Sequence, residues 1–268
     1  MRVTFRGVRG SVPWATAGAA AYGSNTPCLE LRDEASGAVL ILDAGSGIVG
    51  CGGSILGAPG AVDILLSHYH WDHVQGLPFF APFFRTGWTP SIWAPRLAEW
   101  EGAALHRLFE PPFFPQPIDQ LPSAPAIVTI EPGELQVGRF RVQAQPLAHP
   151  GGAFAYRVQG AEGDLVYATD HEFGNAAVDD GLAAFAQNAS AVVVDAHFTP
   201  DESPLHAGWG HSNWHQSADF AAAVGAGHLW LFHHKPGRSD AEIAAVEARA
   251  RRVFPATTAA REGASFRI

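Results

Sequence analysis

Val62-Asp63-Ile64-Leu65-Leu66-Ser67-His68-Tyr69-His70-Trp71-Asp72-His73 decides how this chain is read. An apolar run suited to a buried strand breaks at Ser67 into the spacing H-x-H-x-D-H. His68 and His70 alternate at the strand end, so their imidazoles are expected to point the same way. Asp72 and His73 follow at a turn and can aim at a second point nearby. Imidazole combined with carboxylate suits borderline metals such as zinc, and this density of ligands suits a pair of ions about 3.5–4 Å apart.

Outward from this stretch, strand-like runs recur at Val3–Arg6, Cys28–Arg32, Ala38–Asp43, Ser91–Ala94, Ala126–Ile130 and Arg139–Pro146. Others follow at Ala153–Gln159, Leu165–Thr169, Ala191–Asp195, Leu229–Phe232 and Ala264–Arg267. Most are rich in β-branched and aromatic residues and end at Gly, Pro or Asp. Helices are predicted over Asn213–Val224, with Ser212 as N-cap, and over Asp240–Phe254, opened by the capping box Ser239-x-x-Glu242. Weaker helical patterns cover Pro95–Phe109 and Asp179–Asn188. Strands followed by alternating strand–helix units predict a layered α/β or α+β domain, sheets inside and helices outside. Residues 84–125 interrupt the pattern with aromatics and prolines, which suits either an irregular surface loop or a lid or dimer contact. No linker or clean internal repeat divides the chain, so one domain over residues 1–268 is expected.

Composition narrows the function. The 268 residues carry a formal charge of −9 with Lys235 as the single lysine, a poor basis for gripping nucleic acid. Thirteen histidines stand against two cysteines, Cys28 and Cys51, which form no Cys-x-x-Cys pair. Metal or proton chemistry through imidazole is therefore favoured over a disulfide scaffold or a thiolate zinc site. The beginning, Met1 to Arg6, lacks a signal-peptide pattern, and no run approaches the ~18 apolar residues of a membrane span. A cytoplasmic protein without membrane contact is the expectation.

His68-x-His70-x-Asp72-His73 after an apolar strand resembles the signature of the metallo-β-lactamase superfamily. Gly7-Val8-Arg9-Gly10-Ser11-Val12-Pro13, Tyr22-Gly23-Ser24-Asn25-Thr26 and Leu42-Asp43-Ala44-Gly45-Ser46-Gly47 resemble its phosphodiesterase-like branch. That branch includes the cyclic phosphodiesterases of phosphonate breakdown and ribonuclease Z. Gln75–Phe80, His149-Pro150-Gly151-Gly152, Ala168-Thr169-Asp170, Gly210-His211-Ser212 and Phe232-His233-His234 extend the match over residues 1–240.

The resemblance implies a four-layer αββα sandwich and two divalent metal ions, zinc foremost, with manganese or iron also compatible. It implies His149 as the third histidine beside His68 and His70, and Asp170 as a bridge between the metals. One of His233 and His234 would complete a second site with Asp72 and His73; His233 is favoured because it directly follows the strand. His211 would protonate the leaving group, oriented by Asp195, and Asp43 would hydrogen-bond a metal-binding histidine. The implied reaction is attack by a metal-bridging hydroxide on a small, possibly cyclic, anionic phosphodiester. Two alternatives share the metal motif: a ribonuclease Z-like tRNA 3′-end nuclease, which the lone lysine and the missing basic arm disfavour, and a lactone or thioester hydrolase. Redox di-iron chemistry is disfavoured because such enzymes place Glu where His70 stands. A homodimer is usual in the resembling family.

Overall fold

The structure is a computed structural model describing residues 1–57 and 59–268. Its first sheet holds β1 (Arg2–Gly7), β2 (Cys28–Arg32), β3 (Val39–Leu42), β4 (Ala61–Leu65), β5 (Thr89–Pro95), β6 (Ala126–Ile130) and β14 (Ser265–Arg267), in the order β14-β1-β2-β3-β4-β5-β6. The second holds β7 (Gly133–Val137), β8 (Phe140–Leu147), β9 (Ala153–Gln159), β10 (Asp164–Ala168), β11 (Ala191–Asp195), β12 (Leu229–Phe232) and β13 (Thr257–Ala259), in the order β13-β12-β11-β10-β9-β8-β7.

The inner faces meet in one apolar layer. Val3, Phe5, Leu29, Leu40 and Leu65 of the first sheet pack against Val142, Tyr156, Tyr167, Val193 and Phe232 of the second. The outer face of the first sheet is covered by α1 (Gly47–Ile55), α2 (Trp71–Val74) and 3₁₀ turns, burying Ile48, Ile64, Phe83 and Ile92. The outer face of the second is covered by α3 (Ala176–Ala186), α4 (Trp214–Ala223) and α5 (Asp240–Val253), burying Leu182, Val194, Ala218 and Leu231. The result is the αββα sandwich. Strands buried on both faces must be apolar throughout, which is why β3 and β11 read as continuous hydrophobic runs.

Each sheet runs from antiparallel to parallel pairing in the same order. β14-β1-β2-β3 and β7-β8-β9-β10 are antiparallel, whereas β3-β4-β5-β6 and β10-β11-β12-β13 are parallel. A topological repeat thus exists without a repeat in sequence. Residues just past the carboxyl ends of β3, β4, β10, β11 and β12 converge at one edge of the sandwich, the place where open α/β sheets bind ligands.

Several expectations need correction. Pro95–Phe109 is not an α-helix: Pro95 ends β5 in register with Ile130, the Arg96 amide donates to the Ile130 carbonyl, and only Gly102–Phe109 coils, in 3₁₀ turns. Ser212 does not cap α4. Asn213 does, within a capping box closed by Gln216, while the Ser212 hydroxyl donates to the His171 carbonyl. The capping box of α5 stands as read, with Ser239 and Glu242 reciprocally bonded. Unforeseen α1 carries four glycines in Gly47-Ile48-Val49-Gly50-Cys51-Gly52-Gly53-Ser54-Ile55, a poor intrinsic helix former. Packing overrides propensity there: a side chain at Gly47 would strike the Arg6 backbone and one at Gly52 the Phe80 ring. The missed β7 is a half-exposed edge strand with polar alternate residues, and β13 has only three residues, so neither gives a hydrophobic signal. Residues 84–125 are not one irregular loop. They include β5 and bury Leu105, Phe109, Ile118 and Leu121 against the first sheet.

Candidate active site

His68 and His70 lie beyond β4, not within it, so strand alternation does not aim them. His70 precedes α2 in extended backbone, and Asp72 and His73 occupy that single helical turn. The His68 and His70 rings meet at right angles with centroids 4.6 Å apart, and the His149 ring closes the group at 4.8 Å and 4.7 Å. His149 Nε2 lies 2.9 Å from His70 Nδ1. On the other side, His73 Nε2 stands 3.4 Å from Asp72 Oδ2 and 3.3 Å from Asp170 Oδ2. His233 Nε2 stands 3.1 Å from Asp72 Oδ2 and 3.4 Å from Asp170 Oδ1. All seven residues read from the sequence as metal ligands therefore meet at one point in the fold. His234 points elsewhere, its Nε2 bonded to the Ala260 carbonyl.

Among the described residues five groupings offer ligand atoms mutually within 4.8 Å: His68–His70–His149, His68–His73–Asp170, Asp72–His73–His233, His149–Asp170–His211 and Asp195–His197–His211–His233. Hydrogen bonding prepares these imidazoles as ligands. Ser67 Oγ donates its single proton to Asp43 Oδ2 at 2.8 Å, so it accepts from His68 Nδ1 at 2.9 Å. His73 Nδ1 donates to Asp43 Oδ2 at 2.8 Å, and His149 Nδ1 to the Gly210 carbonyl at 2.8 Å. Each bond fixes the proton on Nδ1 and turns the Nε2 lone pair towards the centre. The Nε2 atoms of His68 and His73 are buried and have no hydrogen-bond partner among the described residues. Buried polar atoms are ordinarily satisfied, and a divalent cation is the partner this donor set suits. Burial holds His68 well below the usual imidazole range and His149 at about 4, which keeps both neutral. For His73 burial acts the same way, but Asp170, Asp72 and Asp43 outweigh it and raise it in the absence of cations.

Backbone strain converges on the same place. Asp43, Asp170 and His233 adopt left-handed backbone (φ 60°, 58° and 58°), as does Ser11 (φ 62°), whose amide donates to Asp72 Oδ2 at 2.7 Å. Non-glycine residues rarely adopt this region and do so mostly where the surroundings enforce it. Here the sharp turn at a strand end swings each carboxylate or imidazole inward. Two glycines make room: a side chain at Gly10 would overlap the His233 ring, and one at Gly210 (φ 83°) the His149 ring.

Beside the cluster, His211 Nδ1 lies 2.6 Å from Asp195 Oδ2 and 3.7 Å from Asp170 Oδ1. Burial opposes the imidazolium, but the charge and hydrogen bond of Asp195 prevail and raise His211 to about 9. Asp43 fills the supporting role expected of it, accepting from the Ser67 amide, Ser67 Oγ, His73 Nδ1 and Tyr167 Oη at 2.7–2.8 Å. His197, to which the sequence gives no role, also adjoins the site. Its ring stacks on His211 at 4.5 Å and 18°, and its Nδ1 lies 3.0 Å from the His233 carbonyl. Its position two residues past Asp195 on the same strand end was the available signal. His171 instead bonds Asp179 through Nε2 at 3.1 Å and accepts from the Ala148 amide at 3.2 Å, bracing the loop that carries His149.

A family profile described as the beta-lactamase superfamily domain matches residues 40–234. "Probable metallo-hydrolase YhfI" of Bacillus subtilis (strain 168) is 23% identical over 202 residues, 72% of this chain and 74% of that protein. The crystal structure of the metallo-β-lactamase fold protein YhfI superposes with a TM-score of 0.76 at 20% identity, over 99% of this chain and 98% of that one. A diphosphatase from the PhnP family gives 0.73 at 16% identity, over 100% and 97%. The short form of human tRNase Z gives 0.69 at 17% identity, over 100% and 99%. With the profile spanning most of the chain and the His/Asp clusters able to hold metal, this chain belongs to the metallo-β-lactamase superfamily as a metallo-hydrolase.

Proposed function

We propose that the protein hydrolyses a small anionic phosphodiester. The observation that carries this reading is the His211–Asp195 pair, 2.6 Å apart and adjoining Asp170 of the ligand cluster. Such a pair places a carboxylate-oriented imidazole where a leaving group departs. His68, His70 and His149, with Asp72, His73 and His233 and with Asp170 shared, would hold two divalent cations, zinc foremost, which supply hydroxide near neutral pH and offset charge gathering on phosphorus.

The chain's own residues do the rest. Asp195 Oδ2 accepts the His211 Nδ1 proton and fixes the ring, leaving Nε2 to carry a proton to the departing alkoxide. An alkoxide leaves poorly from a phosphodiester, so protonation at that atom is a large part of the barrier. Asp43 holds His73, and through Ser67 also His68, in fixed tautomers. The Ser11 amide fixes Asp72. The net charge of −9 and the lone Lys235 favour a small substrate over tRNA, although tRNase Z is among the proteins of similar fold. A diphosphatase of similar fold also acts at phosphorus.

The test is a substrate screen on metal-replete protein with bis(4-nitrophenyl) phosphate, cyclic nucleotides, cyclic ribose phosphates, lactones, thioesters and pre-tRNA. Turnover of small diesters is expected. Cleavage of lactones or thioesters with no diester activity contradicts the proposal, and cleavage of pre-tRNA alone replaces it with the nuclease reading.

A further inference from the structure

Next to the His68–His70 side of the cluster lies a cavity of about 270 Å³. Its walls are Tyr69, Leu97, Trp100, Leu105 and Leu108, with Gly151 and Gly152 opposite. The Tyr69 hydroxyl is turned away and donates to the Pro95 carbonyl at 2.6 Å, so the ring and not the polar tip faces the space. The glycines leave their side without side chains; a Cβ at Gly152 would press on Leu97. His70 is the exposed member of the ligand cluster and lines the cavity. Arg107, also in the lining, lies over the Trp100 ring, 5.6 Å from its centroid, with no carboxylate within ion-pair distance among the described residues. Arg107 and Leu108 also border a second apolar hollow of about 500 Å³ lined by Trp71, Phe79 and Phe113.

Resting on the phosphodiesterase reading, we propose that the substrate carries a bulky apolar arm, alkyl or aryl, seated in the Leu97–Leu108 cavity beside His70. A sugar lying along Tyr69, Leu97, Leu105 and Leu108 would lose its hydroxyl hydration against apolar side chains, with polar groups only at His68, His70 and Arg107, which binding sites for polyols avoid. Apolar surface gains what the sugar would lose. A side chain long enough to pass Leu108 continues into the second hollow, with Arg107 between the two.

The test uses metal-replete protein and calorimetry with a series of n-alkyl phosphonates from methyl to hexyl, which present one apolar arm each. Affinity should rise about three- to four-fold per added methylene until the cavity fills. Trp100→Ala and Leu108→Gln, both at partly exposed positions, should flatten that slope while leaving methylphosphonate affinity unchanged. Hydrolysis of bis(4-nitrophenyl) phosphate is measured in parallel. Diester turnover with affinity independent of chain length overturns the inference. Chain-length-dependent binding without turnover of any diester sinks the phosphodiesterase reading and leaves the apolar ligand class supported. Equal slopes in wild type and both variants also overturn the assignment of this cavity.

Discussion

The two sides of the histidine cluster are held in different ways. Asp72, His73, Asp170 and His233 are buried, and each is tied to a neighbour: Asp72 to the Ser11 amide, His73 to Asp43, Asp170 to Thr169 Oγ1, His233 to His197. His70 and His149, by contrast, border open cavities, and His70 is exposed. The fold assembles the first side as part of its core and presents the second to whatever enters. Affinity for metal should therefore depend most on the buried side, and selection among substrates on the open one.

Substitutions can break this division. The largest effect is expected from Asp170→Ala, since Asp170 adjoins His73, His233, His149 and His211. Activity should be abolished and metal content should fall; metal analysis beside a diesterase assay checks both, and full metal retention would contradict the shared role. His211→Ala should slow turnover of diesters with an alkoxide leaving group, such as cyclic nucleotides, by roughly 10²–10⁴-fold with metal content intact. Loss of metal in that variant would make His211 a ligand and not an acid. Asp43→Asn should cost about 10–100-fold in metal affinity, because it loosens His73 from behind. A metal-buffer titration reads that loss, and a variant that binds metal normally but has a raised KM would place Asp43 on the wrong side of the comparison.

The smallest effect belongs to the periphery of the buried side. Arg238 donates to the His197 carbonyl at 3.1 Å and to Glu202 Oε2 at 2.6 Å, and Lys235 joins Glu202 at 3.1 Å. Burial pushes the Glu202 carboxyl up, but the Thr199 amide, Arg238 and Lys235 outweigh it and hold Glu202 at about 2. A carboxylate depressed in the folded state stabilises above its ordinary range, and the contribution fades as pH falls from about 4.5 towards about 2. The melting-temperature gap between wild type and Glu202→Gln should therefore be present at neutral pH and narrow below about pH 4.5. A gap constant across that range would show that Glu202 acts through packing alone.

The part of the site that is local in the chain was the more legible in sequence. The H-x-H-x-D-H spacing marked His68 to His73 directly, because four ligands from one strand end and the turn after it are local in the chain. Asp170, Asp195 and His233 also end strands, but many aspartates do, and only family likeness distinguished these. The left-handed backbone of Asp170 and His233 and the clearance made by Gly10 are properties of three-dimensional crowding that no periodicity records. The open side was hardest to read. Leu97, Trp100 and Leu108 look like an ordinary amphipathic helix in sequence, whereas Pro95 is held in the sheet and the segment turns along the cavity instead. The same tension hid α1, whose glycines argue against a helix until the sheet beneath it is considered. For the strands the apolar runs sufficed, save at β7 and β13, where burial is slight or the element very short.

On the proposed reading His68, His70, Asp72, His73, His149, Asp170 and His233 would together hold two ions. Metal stoichiometry measured during zinc titration of stripped protein, with diesterase activity followed in the same samples, tests it most directly. Two ions per chain are predicted, with activity rising as the second is filled. Saturation at one ion or none, or full activity in metal-free protein, would rule out such a two-ion centre.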